Sequence, residues 1–406
     1  MSNAATQTYV DLEARYGAHN YKPLDIVVAD AQGVWVTDVE GRRYLDGLSA
    51  YSSLNQGHRH PRVIAALIEQ AGRVTLTSRA FRNTELPYLE KELCELSGME
   101  RALLMNTGAE AVETAIKAAR RFGYRHKGIP ADQAEIIVCA DNFHGRTVTI
   151  ISASTEPAYR ADYGPFTPGF VVVPFGDAEA LERAITPRTC AFLVEPIQAE
   201  AGVLMPPPGY LRRAAEICQR NRVLLMLDEI QTGLGRTGRM FACQHEDVKP
   251  DALLLGKALA GGVYPVSAVL GSDALIGVFE PGSHGSTFGG NPLGSAVARA
   301  ALRVIQDEHL SERAAELGPL FLKRLAAIQS HAVKGVRGLG LLIGIELCTA
   351  ARPYCEALAR EGVLCKETHD KVLRFAPPLV ITQDELDFAF DRIARVLTSD
   401  TIARAA

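Results

Sequence analysis

The chain has 406 residues, of which 47% are hydrophobic and 22% charged, a balance that excludes a disordered tail protein. At roughly 150 residues per domain, this length suggests two or three domains. The formal charge of −4 argues against a general nucleic-acid binder, which carries a basic excess or stripe.

In chain order, the first expected element is a short hairpin from 33–38 to Arg43–Asp46, turned by Glu40-Gly41. It belongs to an N-terminal segment, 1–51, read as an arm plus part of a smaller domain. Strands are then expected at 102–105, 135–140, Val148–Ser152, Phe170–Val173, 191–194, 223–227, Ala252–Leu255 and 266–270. They are apolar and β-branched without alternation, as strands covered on both faces are. A helix is expected over 109–126, where Val112, Ala115, Ile116, Ala119 and Phe122 share one face. Another is expected over Tyr210–Asn221. This alternation predicts an α/β large domain, 52–290, with a mostly parallel central sheet flanked by helices. The texture changes after Asn291-Pro292. A helix-rich run, 293–327, precedes strands at 335–338 and 341–346, a helix at 353–361 and the segment Val372–Phe375. These predict a smaller α+β domain, 291–406.

No apolar run approaches the ~18 residues of a membrane-spanning helix. The eight Cys, at 94, 139, 190, 218, 243, 348, 355 and 365, form no CxxC pair, so reduced thiols and a cytoplasmic setting are expected, with no metal site. The opening Met1-Ser-Asn-Ala shows no signal-peptide pattern.

The most conspicuous short motif, Gly233-Leu-Gly235-Arg-Thr-Gly238, matches GxGxxG. An acidic-polar insert separates it from its strand, no amphipathic helix opens after it, and no ribose-binding acid follows at ~20 residues. A turn-rich loop is the better reading. No phosphate-binding GxxxxGK[ST] is present.

A stronger signal is a pair. Asp228 ends one apolar strand and Lys257 follows the next. In a parallel sheet both tips open on the same edge, where ligands bind. A partly desolvated Lys is a nucleophile for a carbonyl, and an acid beside it can hold a cationic ring nitrogen. Those are the two demands of pyridoxal phosphate. Read alone, Lys257 is equally a surface charge at a strand end. The run Asn106-Thr107-Gly108-Ala109-Glu110 opens a helix and suits an anion such as a phosphate. It is also an ordinary capped start. Phe143 could stack on a flat ring and Arg146 clamp a carboxylate. Singly, they read as a packed Phe and a solvated Arg. His144 invites a catalytic-base reading, but a structural or ring-packing role fits better. Arg374 is a second carboxylate-clamp candidate.

Together, MNTGAE (105–110), NFHGRT (142–147), VEPIQAEAGV (194–203), LDEIQTGLGRTG (227–238), LLGKALAGG (254–262), HGSTFGGNP (284–292) and RFAPPLV (374–380) resemble the class III, fold-type I pyridoxal-phosphate aminotransferases. The likeness runs from about Ala18 to the C-terminus and is nearest to the ornithine-specific branch. It implies that Lys257 binds the cofactor aldehyde and shuttles the proton, that Asp228 pairs with the pyridine nitrogen, and that Phe143 stacks on the ring. Gln231 would contact the ring hydroxyl, and Gly108 and Ala109 the phosphate. Ser286 and Thr287 would reach the phosphate of a neighbouring subunit, which implies a homodimer with shared sites. Tyr21 and Tyr51 would shape the ornithine pocket, and Arg146 would take the ornithine α-carboxylate. Glu200 would neutralise Arg374 while ornithine is bound and swing away for glutamate or 2-oxoglutarate. The implied reaction moves the δ-amino group of ornithine to 2-oxoglutarate; acetylornithine and 4-aminobutyrate are the rival donors. Some ornithine enzymes carry Trp at the place of His144, so that residue does not decide the substrate.

Overall fold

The computed structural model describes residues 4–399. A helix, Ala4–Tyr16, precedes three strands, β1 (Val28–Gln32), β2 (Trp35–Asp38) and β3 (Arg43–Asp46). Then come β4 (Arg101–Met105), β5 (Glu135–Cys139), β6 (Phe170–Val173), β7 (Thr189–Val194), β8 (Leu224–Asp228), β9 (Ala252–Leu255) and β10 (Ser267–Gly271). The last five are β11 (Val333–Leu339), β12 (Leu342–Leu347), β13 (Val363–Leu364), β14 (Lys366–Thr368) and β15 (Val372–Phe375).

The seven strands β4 to β10 form the central sheet in the order β4-β10-β9-β8-β7-β5-β6. Pairing is parallel from β9 through β6, and only β10 runs antiparallel to its neighbours β4 and β9. The lack of alternation in these strands has a direct cause. Along β8, Leu225 and Leu227 face one apolar cluster while Leu224 and Met226 face the other. The second cluster is closed by the helix Gly108–His126, which buries Ala111, Val112, Ala115, Ile116 and Ala119. Each fully buried Leu or Ile of this kind contributes roughly 1.5–3 kcal/mol. The sheet is therefore rigid, and its strand tips are well-fixed platforms for side chains.

Two smaller sheets flank it. In one, β13 joins β3 in parallel, Val363 opposite Leu45, which ties the N-terminal strands to the C-terminal part of the chain. The other is antiparallel in the order β11-β12-β15-β14. The helix-rich run 293–327 is two helices, Pro292–Asp307 and Leu310–Ala326. Among the described residues no helix is long and apolar enough to cross a membrane.

One expected strand is wrong. Val148–Ser152 is a short helix. Its β-branched composition suggests a strand, but β5, which precedes it, already has β6 and β7 on its two sides, so no open edge lies beside it. Ile150 and Ile151 are buried while Val148 is exposed, a helical division of one short segment between core and solvent.

Candidate active site

A cavity of about 180 Å³ is lined by Gly108, Ala109, Phe143, Asp228, Gln231 and Lys257, all six of the expected intrachain cofactor residues. Asp228 is the last residue of β8, opposite Leu254 of β9. Lys257 follows β9 by two residues and opens a 3-10 turn. Its φ of +46 is unusual for a residue with a side chain, and such strain gathers at functional sites. Both tips thus meet at one edge of the sheet.

The Asp228 carboxylate is buried. Oδ2 accepts from His144 Nδ1 at 2.7 Å, and Oδ1 accepts from the Ile230 amide at 3.1 Å. Two acceptors with about four lone-pair sites leave room for a third donor from the cavity. His144, itself buried, keeps Nε2 without a protein partner. Its one bond, from Nδ1, fixes the orientation of the Asp228 carboxylate. Glu195 also faces the cavity. Burial, then repulsion from Asp228, raises its carboxyl well above the usual range, although the Phe143 amide donates to it at 3.0 Å.

Opposite this acid, the helix Gly108–His126 aims its N-terminus at the cavity. Thr107 and Glu110 close a capping box, the Thr107 hydroxyl accepting from the Glu110 amide at 3.2 Å. The cap and the anion site coexist, since capping takes only some of the orphan amides of the first turn. A Cβ at Gly108 would lie 3.0 Å from the Ile230 side chain, so the backbone approaches closely there. An acid for a ring nitrogen, an aromatic face, an amine and an anion cradle therefore surround one small space. That donor set fits pyridoxal phosphate.

Burial, then the charge of Arg374, lowers the Lys257 ammonium to about 8, against the opposing pull of Glu200, Asp228 and Glu195. The neutral amine is the nucleophile. Capture of an aldehyde by the apoprotein is expected to rise nearly tenfold per pH unit below about 8 and level off above it, as stopped-flow absorbance would show. A rate that is flat from pH 6.5 to 9.5 would contradict this.

The substrate side lies across β15. Arg374 is fully buried. Its Nη1 donates to Glu200 at 2.7 Å, and its Nη2 to Gln231 at 2.8 Å and Ser52 at 3.3 Å. Its guanidinium stands 5.5 Å from the centre of the Tyr51 ring. The expected Glu200–Arg374 pair is thus formed, and Gln231 joins it to the cofactor cavity. Arg146 is exposed and stacks on Tyr159 at 3.9 Å, with Phe143 at 5.6 Å. Tyr21 is 76% exposed, yet near enough to Tyr51 to act on its hydroxyl, which burial and then Glu200 push upward. Ser286 accepts from Asn106 at 2.9 Å, beside the cradle of its own chain, while Thr287 and Phe288 are exposed.

Tyr51 sits in an unusual backbone. Ser49, Ala50, Tyr51 and Ser52 all have positive φ, between 47 and 69, one left-handed turn made without glycine. Such geometry costs roughly 1–2 kcal/mol per residue. Ala50 is exposed, so Ala50→Gly is expected to stabilise the protein by about 1 kcal/mol, seen as a raised Tm. A lowered Tm would show that the turn is not strained there.

Sequence reasoning missed two members of this site, Glu195 and Tyr159, and one bond. Glu195 stands in VEPIQAE, but a buried acid beside another acid has no spacing signal. Tyr159 lies in a four-residue helix, Pro157–Arg160, too short for any periodicity to place it against Arg146. The bond from His144 to Asp228 spans 84 positions.

The chain matches the family model of class-III aminotransferases over residues 16–397. It is 58% identical over 392 residues to an ornithine aminotransferase of Brevibacillus brevis, covering 97% of this chain and 98% of that one. A solved ornithine aminotransferase of Toxoplasma gondii, with pyridoxal phosphate at partial occupancy in its active site, is 46% identical with a TM-score of 0.96, over 99% of this chain and 96% of its own. An acetylornithine aminotransferase of Elizabethkingia anophelis is also 46% identical, with a TM-score of 0.89, over 97% of this chain and 98% of its own. A rigid strand-tip platform carrying an amine and an acid across one cavity is what this class of enzyme requires, and the chain belongs to the class-III aminotransferases.

Proposed function

We propose that the enzyme transfers the δ-amino group of L-ornithine to 2-oxoglutarate, giving glutamate 5-semialdehyde, which closes to pyrroline-5-carboxylate, and glutamate. The observation that carries this reading is the meeting of Lys257 and Asp228 at one cavity, with the Glu200–Arg374 pair joined to it through Gln231. Bound pyridoxal 5′-phosphate supplies an aldehyde for the substrate amine and a protonated ring that accepts electrons. Asp228, oriented by His144, keeps that ring nitrogen protonated. Phe143 covers the ring face, Gln231 meets its hydroxyl, and Gly108 and Ala109 hold the phosphate. Lys257 would hold the cofactor aldehyde and, as a free amine at Nζ, would take the proton from the δ-carbon.

One site must serve two different substrates, an amino donor and a keto-acid acceptor. Ornithine has one carboxylate and needs a second cation silenced; Glu200 does this by holding Arg374. Arg146 then takes the α-carboxylate, and Tyr21 and Tyr51 wall the chain. With 2-oxoglutarate, Glu200 turns away, Arg374 takes the α-carboxylate and Arg146 the distal one. The same reading includes a homodimer in which Ser286 and Thr287 reach the neighbouring subunit's phosphate, a cytoplasmic setting, and a place in proline and arginine metabolism. It divides the chain into an arm (1–51), a cofactor domain (52–290) and a smaller C-terminal domain (291–406).

Steady-state kinetics with ornithine, acetylornithine and 4-aminobutyrate, each against 2-oxoglutarate, test the substrate. Ornithine is expected to give the highest kcat/KM. Ornithine as the poorest of the three would reject it in favour of a rival donor.

A further inference from the structure

The GxGxxG-like loop at 233–238 binds no nucleotide in the reading above, yet its Arg236 is the largest side chain buried almost without trace, at 0% exposure. Among the described residues no carboxylate bonds to it, although the charge of Asp46 acts on it through space. Nη1 donates to the carbonyls of Leu341 at 2.9 Å and Pro377 at 2.6 Å. Nη2 donates to Ser49 Oγ at 3.2 Å and Asn55 Oδ1 at 2.6 Å, and Nε has no partner. The main chain adds to the grip, the Leu341 amide donating to the Arg236 carbonyl at 3.1 Å. Burying a cation among neutral acceptors is costly. Burial, then the nearby Arg374, draws the guanidinium down only to about 9, so it stays charged at neutral pH. An apolar residue would fill the same space without that cost, so the fork must do something a hydrophobe would not.

What the fork reaches is the left-handed turn that carries Tyr51. Ser49, at the head of the turn, accepts from Arg236 and donates to the Ala376 carbonyl at 2.7 Å. Ser52, at its tail, accepts from Arg374. Asn55, just beyond, is held by Arg236, by the Leu234 carbonyl at 2.8 Å, and by the Leu379 amide. Four consecutive positive-φ residues would relax if released. Arg374 has its own supports in β15, Glu200 and Gln231, whereas the backbone of Tyr51 is set by the turn.

We propose that Arg236 is a positioning residue for the amine donor: its fork pins the strained turn 49–52 and so sets Tyr51 where a flexible ω-amine substrate is held. This rests on the ornithine reading. The consequence is selective. A dicarboxylate is anchored at both ends by Arg374 and Arg146, and it tolerates a shifted Tyr51. Ornithine, with one carboxylate, does not.

The test is the holoenzyme with Arg236→Lys, which keeps the charge and loses the fork. KM for ornithine is expected to rise about tenfold, the scale of a lost hydrogen bond to a charged donor. The half-saturating glutamate concentration, read as loss of the yellow absorbance in the half-reaction without added keto acid, should change less than about twofold, and the limiting rate should change little toward either donor. Ser49→Ala is the second variant. It keeps the guanidinium and its other bonds and frees only the head of the turn, so a smaller rise for ornithine alone is expected. Equal losses toward both donors would overturn the proposal. If the lysine variant does not fold, the donor ratio in Ser49→Ala decides: a selective rise sustains the proposal and an unselective one ends it. Turnover of ornithine by the unmodified enzyme tests the underlying reading separately. Were another ω-amine the true donor, the same ratio would be read with that amine.

Discussion

Lys257→Ala is expected to lower kcat at least about 10³-fold, because it removes the one amine that lines the cavity among the described residues, and with it both covalent attachment and proton transfer. The fold should survive. Lys257 leads a short 3-10 turn at the edge of the cavity, and no hydrogen bond or ion pair of its side chain supports the core. Alanine in place of a left-handed lysine leaves the same φ, so the strain of that turn neither grows nor vanishes. Single-turnover transamination is the right measurement, since slow product release cannot mask it. A variant that retains a tenth of the activity would remove Lys257 from the chemistry.

Asp228→Asn is expected to lower kcat by roughly 10²–10³-fold with little change in Tm. The substitution keeps the shape and removes the charge. It also leaves His144 Nδ1 facing an amide that can turn its own N–H groups toward it, so the 2.7 Å bond that orients the side chain is lost or reversed. Loss of charge alone would weaken the hold on a pyridine proton, and loss of orientation would add to it. His144→Ala separates the two. It keeps the carboxylate and frees it to rotate, and is expected to cost about tenfold. Asp228→Asn with kcat within threefold of the unmodified enzyme would mean that the acid does not touch the cofactor ring.

The parts of this molecule that could be read in the sequence are those in which one residue type has one physical meaning. An apolar run without alternation means a strand covered on both faces, and a charged residue at its end means a strand tip at an open edge. Asp228 and Lys257 were legible for that reason. So was the helix starting at Gly108, since a capping residue, a glycine and a 3.6-residue stripe all agree. Val148–Ser152 failed because strand propensity is local and pairing is not: both sides of the preceding strand, β5, are taken by β6 and β7. The helix Ala4–Tyr16 was not read, having almost no apolar face to bury.

The substrate residues were legible only through resemblance. Glu200 and Arg374 lie 174 positions apart, and neither announces the other by spacing. The turn at Ser49–Ser52 was hidden for a different reason. Glycine marks left-handed backbone in most sequences, but here serine, alanine and tyrosine adopt it under constraint from distant arginines. Arg236 shows the same limit. A motif sought for nucleotide chemistry holds a buried clamp instead, because burial depends on what packs above the loop.

The most direct test is the visible spectrum of the purified holoenzyme as ornithine is added without 2-oxoglutarate. The yellow absorbance should be lost, about one equivalent of pyrroline-5-carboxylate per cofactor should form, and 2-oxoglutarate should restore the colour. A protein that holds its cofactor but keeps its spectrum unchanged in ornithine would contradict the meeting of Lys257, Asp228 and an ornithine amine at this site.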